Sequence, residues 1–463
     1  MTNPISKTSR AGAESPMERL SVYFPPAACP KARVDLEKHQ VAVEDAGLSI
    51  VADAKKADLV VIFTCGFIDD AKKESVGDIL AYCALKKQGS VRGIVVVGCL
   101  PEKYGLELAK EVPQVDAFLG NTQLHTLPAV LKRLAARQPV EKLAKSASFD
   151  GAAGLAAQPR RAAAASEPWT RAVLICDGCN NACAYCTIPQ MRGPLRSRTI
   201  ESLVEEVNLL VGQGAKEIVL TGQDTACYGR DRGKGELGEL LGALATRTAA
   251  HWIRLAYANP ENLESDVARA IRDHPTICHY IDTPIQHASP EVLARMGRPN
   301  GEATKHAIRN LRAAVPDIAL RTSVIVGFPG ETERDFNLLL DFLREVRFDM
   351  VGVFTFSPQA GTAAAGLPGK VPRRIADARL VEVVSLQDEI ARSKAQATLG
   401  NILEVLVERA SARGSRGRSQ YDMAEVDRVL RLKNCTTGVG EFVKARLERY
   451  IGPYEFEAVC LDA

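Results

Sequence analysis

The chain contains no long hydrophobic run, and this absence argues against a membrane protein. No apolar stretch reaches the roughly 18 residues that a membrane-spanning helix requires, although 46% of the residues are hydrophobic. The first 20 residues are polar and include no apolar segment of the kind found in secretory signals. We therefore expect a cytoplasmic protein with no membrane contact.

The chain also lacks an excess of charge of either sign. Its 59 Lys and Arg residues nearly balance its 56 Asp and Glu residues, so the formal net charge is only +3. This balance gives no overall signal for binding polyanions such as nucleic acid. The 12 cysteines indicate metal binding or catalysis, because disulfides are rare in the reducing compartment that we expect.

Three of the cysteines lie close together in the middle of the chain. Cys179, Cys183 and Cys186 are spaced as C-x3-C-x2-C. Three thiolates at this spacing can bind three irons of a cubane iron–sulfur cluster and leave the fourth iron open to a substrate or cofactor. A structural zinc site would need four ligands in paired spacings, and the candidate fourth ligand, Cys176, follows an apolar run that predicts a strand. We therefore predict a reactive iron–sulfur cluster.

The N-terminal part of the chain repeats one unit three times: an apolar strand, a cysteine and a helix. Each cysteine follows one predicted strand: Cys29 follows 21–24, Cys65 follows 59–63 and Cys99 follows 94–97. Continuous apolar strands that alternate with helices predict a buried parallel sheet, whose strand carboxyl ends share one edge. We therefore predict that the three cysteines converge and hold a second cluster, although free cysteine is also a common core residue.

Apolar segments and helices alternate again between residues 169 and 390. Six strands are predicted there, at 172–175, 217–221, 252–256, 280–283, 319–326 and 350–355. Six such units predict a (β/α) barrel, complete or partial. They place the C-x3-C-x2-C loop after the first strand, on the face where such barrels carry their active sites.

The composition of the remaining segments predicts where the domains begin and end. Residues 1–20 are predicted to be disordered, and the Ala-rich residues 136–168 to form a linker between domains. Residues 396–463 contain short alternating segments and glycine turns, which predict a small β-barrel. The predicted fold class is therefore α/β and multidomain, with a parallel α/β sheet domain at 21–135, a (β/α) barrel at 169–390 and a small β-barrel at the end.

Together, these motifs resemble the radical S-adenosylmethionine (SAM) methylthiotransferases, from about Leu20 to the end of the chain. Within that family, the segments 28–37 and 284–289 are similar to the RimO type, which modifies a ribosomal-protein aspartate. Ala28 and Ala32 depart from the Gly and Asn usual in that type. The resemblance implies a central radical SAM barrel, a TRAM-like C-terminal domain, and SAM and two 4Fe-4S clusters as cofactors.

The resemblance also implies roles for individual residues. The catalytic cluster, at which SAM is cleaved to a radical, would be held by Cys179, Cys183 and Cys186. The second cluster, which would present the methylated sulfur, would be held by Cys29, Cys65 and Cys99. The residues that would bind SAM are Tyr185, Gly222, Gln223, Arg321, Ile325 and Gly327.

The implied reaction adds a methylthio group to the β-carbon of an aspartate in a small-subunit ribosomal protein of the decoding centre. The implied partners are that protein and a reducing electron-transfer protein. We expect Glu425 and Asp427 to dock the basic ribosomal protein through charge complementarity. Two alternatives stay open: a MiaB-like enzyme that modifies a tRNA adenosine and contacts RNA through its C-terminal domain, and a non-catalytic iron–sulfur or RNA-binding adaptor.

Overall fold

The computed structural model describes residues 20–27, 29–143, 167–299, 301–411 and 414–461. Nearly all of the predicted disordered segment 1–20 and most of the predicted linker 136–168 lie outside these ranges, as does Ala28. Within the described ranges, no helix is long and apolar enough to cross a membrane.

The N-terminal domain, in its described part, is a five-stranded sheet with helices. Its strands are β1 (Ser21–Tyr23), β2 (Ser49–Val51), β3 (Leu59–Thr64), β4 (Gly93–Gly98) and β5 (Ala117–Leu119), and its helices are α1 (Pro30–Asp45), α2 (Asp69–Lys87), α3 (Cys99–Glu111) and α4 (Leu127–Ala135). All strands are parallel, in the order β2-β1-β3-β4-β5. The three strands that precede cysteines are thus neighbours, and the predicted parallel sheet is confirmed.

The central strands of this sheet form because apolar residues fill both of its faces. In β3, Val60 and Ile62 belong to the apolar cluster on one face, whereas Val61 belongs to the cluster on the other face. In β4 the valines alternate in the same way, and the whole strand is buried. Such strands need cover on both faces, which explains why the chain returns through a helix after each of them.

The central domain contains the second parallel sheet. Its strands are β6 (Thr170–Leu174), β7 (Cys176–Asp177), β8 (Arg196–Ser197), β9 (Glu217–Thr221), β10 (Trp252–Leu255), β11 (Ile277–Asp282), β12 (Ala319–Val326) and β13 (Met350–Thr355). Its helices are α5 (Ile188–Arg192), α6 (Ile200–Gly212), α7 (Leu237–Arg247), α8 (Ser265–Asp273), α9 (Pro290–Arg295), α10 (Gly301–Ala314), α11 (Glu333–Val346) and α12 (Arg373–Thr398).

Six of these strands form one sheet in the order β13-β12-β11-β10-β9-β6, and β7 pairs with β8. The strands at its two ends, β6 and β13, do not pair with each other in the described part of the chain, so the predicted barrel is partial. The helix α12 runs through residue 390, where the predicted central domain ends, and continues to Thr398. It therefore connects the central domain directly to the next one.

The C-terminal domain is a small closed barrel, which confirms the predicted β-barrel. Its strands are β14 (Ile402–Ser411), β15 (Gly414–Ser419), β16 (Val429–Lys433), β17 (Phe442–Gly452) and β18 (Glu455–Cys460). They close in the order β14-β15-β16-β18-β17. The strand β15 consists of glycine, serine and arginine, so its sequence has none of the hydrophobic alternation that identifies most strands.

Buried ion pairs join the C-terminal barrel to the central sheet. Glu217 at the start of β9 accepts a hydrogen bond of 2.7 Å from Nε of Arg254 and one of 2.9 Å from Nη1 of Arg418. All three side chains are almost fully buried. Burial raises the pKa of Glu217, but Arg418 and Arg254 outweigh this effect and lower the pKa to about 2. Arg418 also pairs with Glu408 at 2.6 Å, so two carboxylates compensate the two arginines and fix the position of the barrel.

The N-terminal domain contacts the central domain through its first two helices. Val34 of α1 packs against Leu174 on the face of β6 that does not take part in the main core. At the start of α2, the hydroxyl of Ser357 donates a hydrogen bond of 2.6 Å to Asp69. The carboxyl edge of the N-terminal sheet is thereby held against the central domain.

Candidate active site

The cysteines of the three N-terminal repeats meet at the carboxyl edge of their sheet. Cys29 is the residue before α1, Cys65 follows β3, and Cys99 is the first residue of α3. We call them the sheet triplet. They line one cavity of about 280 Å³, which is also lined by Asn121 and Arg192. The order of the strands brings the three side chains together as the repeat predicts.

The sulfur atoms of the sheet triplet have surroundings that suit thiolate ligands. Sγ of Cys29 accepts a hydrogen bond of 3.4 Å from the backbone N–H of Ala32, and Sγ of Cys99 accepts one of 3.5 Å from Nδ2 of Asn121. Burial raises the pKa of Cys65 to about 11. A bound metal reverses this preference for the neutral thiol, because a coordinating thiol loses its proton.

The cysteines of the C-x3-C-x2-C motif lie in the loop between β7 and α5, and we call Cys179, Cys183 and Cys186 the loop triplet. Two glycines give the loop its shape. Gly178 has a φ of +78°, and a Cβ there would lie 2.0 Å from the carbonyl oxygen of Pro194. At Gly297, whose φ is +68°, a Cβ would lie 2.7 Å from the carbonyl oxygen of Ala182. The loop therefore depends on backbone contacts too close for any side chain.

The sulfur atoms of the loop triplet are hydrogen-bonded and partly buried. Sγ of Cys179 accepts a hydrogen bond from the backbone N–H of Asn181, and Sγ of Cys186 accepts one from that of Ile188, both at 3.4 Å. Burial raises the pKa of Cys179 to about 11 and that of Cys186 to about 12. As at the sheet triplet, these thiols lose their protons readily only to a bound metal.

The donor sets of both triplets fit iron–sulfur clusters better than single metal ions. All six cysteines are free thiols. In a site for a single metal ion, all ligands must reach the same ion. The described residues include no group of three or more Cys, His, Asp or Glu side chains that could hold such an ion. A cubane cluster has a different requirement, because each thiolate binds a separate iron.

Four of the residues predicted to bind SAM lie around the loop triplet. Tyr185 and Ile325 pack into one apolar cluster with Phe328. A Cβ on Gly222 would lie 2.8 Å from Sγ of Cys176, so only glycine fits at this position. Next to it, Nε2 of Gln223 donates a hydrogen bond of 2.9 Å to Asp177.

Two buried oxygens at the end of β9 fit a ligand that carries an amino group. Oε1 of Gln223 and Oγ1 of Thr221 have no hydrogen-bond partner among the described residues. A buried acceptor without a partner is costly, and a donor on a bound ligand removes this cost. The residues around the loop triplet therefore fit SAM, which offers an amino group and the flat aromatic faces of its adenine.

The structure gives the other two predicted SAM contacts structural roles. A Cβ on Gly327, whose φ is +74°, would lie 2.5 Å from Cβ of Ala376, so glycine is needed here for packing against α12. Arg321 donates hydrogen bonds of 3.0 Å to Asp282 and 3.2 Å to Asp427. Its guanidinium thus connects the central sheet to the C-terminal barrel, and contact of these two residues with SAM stays a prediction.

The prediction that Asp427 docks the ribosomal protein is wrong, because this residue also has a structural role between two domains. Its side chain is buried, accepts a hydrogen bond of 2.8 Å from the hydroxyl of Tyr280, and pairs with Arg321. It cannot reach a partner protein without breaking these contacts. Glu425 is exposed, but it forms an ion pair with Arg33 of α1.

Residues that the sequence analysis missed connect the two triplets. Nδ2 of Asn121 donates hydrogen bonds to Cys99 and to the carbonyl oxygen of Met191, the latter at 2.8 Å. Nζ of Lys31 donates a hydrogen bond of 3.1 Å to the carbonyl oxygen of Gly222 and lies 3.7 Å from the ring centroid of Tyr257. Burial lowers the pKa of this lysine. Only the position of Lys31, two residues after a predicted ligand, could have indicated it.

One further cation reaches the loop triplet. Arg298 lies near the loop triplet, because, against the effect of burial, Tyr185, Glu261 and Cys183 act on its charge and raise its pKa. Arg298 also donates a hydrogen bond of 3.1 Å to Glu261. No local pattern in the sequence links this arginine to a cysteine so far away in the chain.

Comparison with known proteins defines the class first. The family model described as the radical SAM superfamily matches residues 173–343, and the model described as Uncharacterized protein family UPF0004 matches residues 21–120. The structure is similar to that of a radical SAM methyltransferase, TsrM from Kitasatospora setae, with a TM-score of 0.56 and 15% identity over 75% of this chain and 77% of that one. The fold and the loop triplet thus define a radical SAM enzyme.

More closely related proteins define the family. The ribosomal protein uS12 methylthiotransferase RimO of Heliobacterium modesticaldum is 40% identical over 92% of each chain. The RimO protein of Sorangium cellulosum is 38% identical over 96% of this chain and 92% of its own. The chain belongs to this RimO family of radical SAM methylthiotransferases, whose cofactors are SAM and 4Fe-4S clusters.

Proposed function

We propose that this chain adds a methylthio group to the β-carbon of an aspartate in ribosomal protein uS12. The observation that carries the proposal is the direct connection between the two cysteine triplets, because Asn121 bonds both Cys99 and the backbone of Met191 in the helix that follows the loop triplet. Arg192, at the end of the helix that follows the loop triplet, lines the cavity of the sheet triplet. In this reaction a radical source and a sulfur source act on the same carbon, so the two sources must lie close together.

The proposal assigns each triplet one cluster. The loop triplet would hold the cluster that binds SAM, beside Tyr185, Gln223 and Ile325, and the sheet triplet would hold the second cluster. When bound, these groups supply reductive cleavage of SAM and the transferable methylthio group. The clusters would be placed by the backbone N–H groups and side chains that donate hydrogen bonds to sulfur, because such contacts orient and tune metal ligands.

The contacts between the N-terminal domain and the central domain support the exclusion of water from the active site. The packing of Val34 on Leu174 and the hydrogen bond between Asp69 and Ser357 hold α1 and α2 against the central domain. A site closed in this way protects a reactive radical from side reactions. The substrate must then enter from a side that these contacts leave open.

A cytoplasmic location and a reducing electron-transfer protein as partner belong to the same proposal. Both follow from the chemistry, because the clusters need low-potential electrons and free thiols persist in a reducing compartment. Contact of the C-terminal barrel with RNA is the alternative that would accompany a tRNA substrate.

The test is mass spectrometry of uS12 and of tRNA nucleosides from cells with and without this enzyme. The expected result is a gain of one methylthio group on a uS12 aspartate that depends on the enzyme, with no change in the nucleosides. If a tRNA adenosine gained a methylthio group only in cells that contain the enzyme, and uS12 stayed unmodified, the substrate would be RNA and not uS12. Absence of both changes, together with no cleavage of SAM by reconstituted enzyme, would favour the non-catalytic adaptor.

A further inference from the structure

Three arginines of the central domain, at or near the candidate site, already have a carboxylate partner. Arg192 pairs with Asp35 at 2.9 Å, and Arg298 pairs with Glu261 at 3.1 Å. The guanidinium of Arg321 is likewise shared by two aspartates. Each of these arginines is therefore neutralised by the protein itself and has little charge to offer a substrate.

Lys31 differs from these arginines. Its ammonium group bonds the carbonyl oxygen of Gly222 at 3.1 Å and lies over the ring of Tyr257. Among the described residues, no carboxylate lies within ion-pair distance of it; the groups that favour its charged form are the Cys29 thiol first, then Asp282 and the Cys99 thiol, each without an ion-pair contact. An ammonium group has three donors, so at least one of them is left for a ligand.

The residue beneath Lys31 is held in an unusual conformation. Tyr257 has a φ of +58°, which is uncommon for a residue other than glycine. Its carbonyl oxygen accepts a hydrogen bond of 3.0 Å from the backbone N–H of Thr225. Backbone strain of this kind concentrates at binding sites and is retained where the surroundings enforce it. The ring of Tyr257 thus serves as a fixed support for the ammonium group.

We propose that Lys31 binds the side-chain carboxylate of the substrate aspartate and thereby places its β-carbon between the two triplets. The inference rests on the proposed function and adds the residue that recognises the substrate. Lys31 is two residues after Cys29 of the sheet triplet and bonds a residue beside the predicted SAM contact Gln223. A carboxylate on its ammonium group supplies a direct ion-pair partner, which the described residues do not provide, and a buried charge without such a partner is costly.

This geometry predicts a preference for aspartate over asparagine. The two side chains have the same shape, but asparagine lacks the charge that Lys31 would bind. A hydrogen bond between charged groups contributes enough that its loss lowers affinity by roughly 10-fold to 100-fold. The preference should disappear when the ammonium group is removed, whatever the other contacts of the ribosomal protein contribute.

The experiment measures binding of full-length uS12 to the reconstituted holoenzyme with SAM, under anaerobic conditions. Two forms of uS12 are compared, one with aspartate and one with asparagine at the modified position. Wild-type enzyme is expected to prefer the aspartate form by about 10-fold or more, and K31M is expected to bind both forms equally. K31R keeps a charge and should retain part of the preference. K73M replaces an exposed lysine of α2 and should retain all of it.

Iron content and the absorption spectrum of each variant separate recognition from a structural role. A K31M protein with full iron and no preference supports the proposal. A K31M protein with the wild-type preference overturns it, as does one that loses both the preference and cluster iron. If wild-type enzyme bound both forms equally, the inference about Lys31 would be overturned while uS12 stayed the proposed substrate. If it bound neither form, the proposed substrate itself would be wrong.

Discussion

The two cysteine triplets are assembled in opposite ways. The loop triplet occupies residues 179–186, and its arrangement depends on one short loop. The sheet triplet comes from the ends of three strands whose order is set by the topology of a whole domain. The loop site can therefore form once the local backbone is correct, whereas the sheet site requires that the N-terminal domain be folded.

The two sites also differ in how they are attached to the rest of the molecule. The domain of the loop triplet is fixed to the C-terminal barrel by the buried charges of Glu217, Arg254 and Arg418. The domain of the sheet triplet is attached to the central domain by the buried pairs Arg171–Glu37 and Arg192–Asp35. It is also attached through more exposed polar contacts, such as those of Asp69 with Ser357 and of Arg33 with Glu425. We expect the more exposed contacts to contribute much less to stability.

The largest effect is expected from removing one cysteine of each triplet. Cys183→Ala should abolish cleavage of SAM, because the cluster that binds SAM loses a ligand. Cys65→Ala should retain cleavage to 5′-deoxyadenosine but give no methylthiolated product. Each variant should contain about four irons instead of about eight. If Cys65→Ala lost cleavage while its loop triplet was fully loaded with iron, the division of labour between the triplets would be wrong.

The next largest effect, on stability, is expected from the buried charged residues between the central sheet and the C-terminal barrel. Glu217→Gln keeps the shape of the side chain but leaves Arg254 without its carboxylate partner and Arg418 with Glu408 alone. Loss of one partner of a buried ion pair typically lowers the free energy of unfolding by about 3–5 kcal/mol. Urea unfolding of the two proteins at neutral pH measures this difference. A change below about 1 kcal/mol would mean that the barrel is not fixed by these charges.

The same carboxyl group predicts a dependence on pH. The pKa of Glu217 is lowered from 4.5 to about 2 in the folded protein. Its stabilisation is therefore present above pH 4.5, where the unfolded chain is also ionised, and is lost as the pH falls towards 2. Wild-type protein should lose this contribution in that window, and Glu217→Gln should show a smaller decrease in melting temperature there.

An intermediate effect is expected from glycines that precede a cysteine of each triplet. Gly178→Ala forces a side chain against Pro194, and Gly98→Ala, at a φ of +105°, places a Cβ 2.9 Å from the carbonyl oxygen of Thr64. Backbone strain of this kind costs about 1–3 kcal/mol. Gly178→Ala should lower iron binding at the loop triplet alone, and Gly98→Ala at the sheet triplet alone.

A matched control for the glycine variants is Gly77→Ala in α2. A Cβ at this position meets no atom within 4 Å, and alanine favours a helix by up to about 1 kcal/mol relative to glycine. It should keep full iron at both sites. If Gly178→Ala and Gly98→Ala each depleted both clusters, the two sites would not form independently.

The smallest effect is expected at the attachment of the N-terminal domain. Asp69 pairs with Lys72 and Ser357, which lower its pKa to about 2, but its side chain is 47% exposed. Solvent weakens such contacts, so Asp69→Asn should cost less than about 1 kcal/mol. Its stabilisation should fall as the pH drops from 3.8 towards 2. Thermal unfolding that showed a loss as large as that of Glu217→Gln would reverse the ranking of the two attachments.

Much of the fold was predictable where hydrophobic patterns are strong. The strands β9, β12 and β13 have the predicted bounds. Apolar residues dominate β9 and β13, and in β12 they stand on both sides of the polar residues 321–323. The strand β15 was not predictable in this way. Its buried Arg418 is compensated by Glu217, which lies 201 residues away, and the sequence carries no local signal of such a pair.

The residues of the candidate site also differ in whether the sequence could predict them. The sequence alone determined the loop triplet, because the ligands are neighbours in the chain and their spacing limits what they can bind. It also indicated the sheet triplet, because equivalent positions in a parallel sheet share one edge. These conclusions need only covalent connectivity and the regularity of secondary structure.

Only the tertiary structure decided which charges are free. Arg321 and Asp427 belong to different domains and form an ion pair, so Asp427 is not open to a partner protein. Lys31 lacks such a carboxylate partner in the described part of the chain and faces the space between the triplets. The physical reason is that the effect of a charge depends on its distance to other charges and on its burial, and both are set by contacts between residues far apart in the sequence.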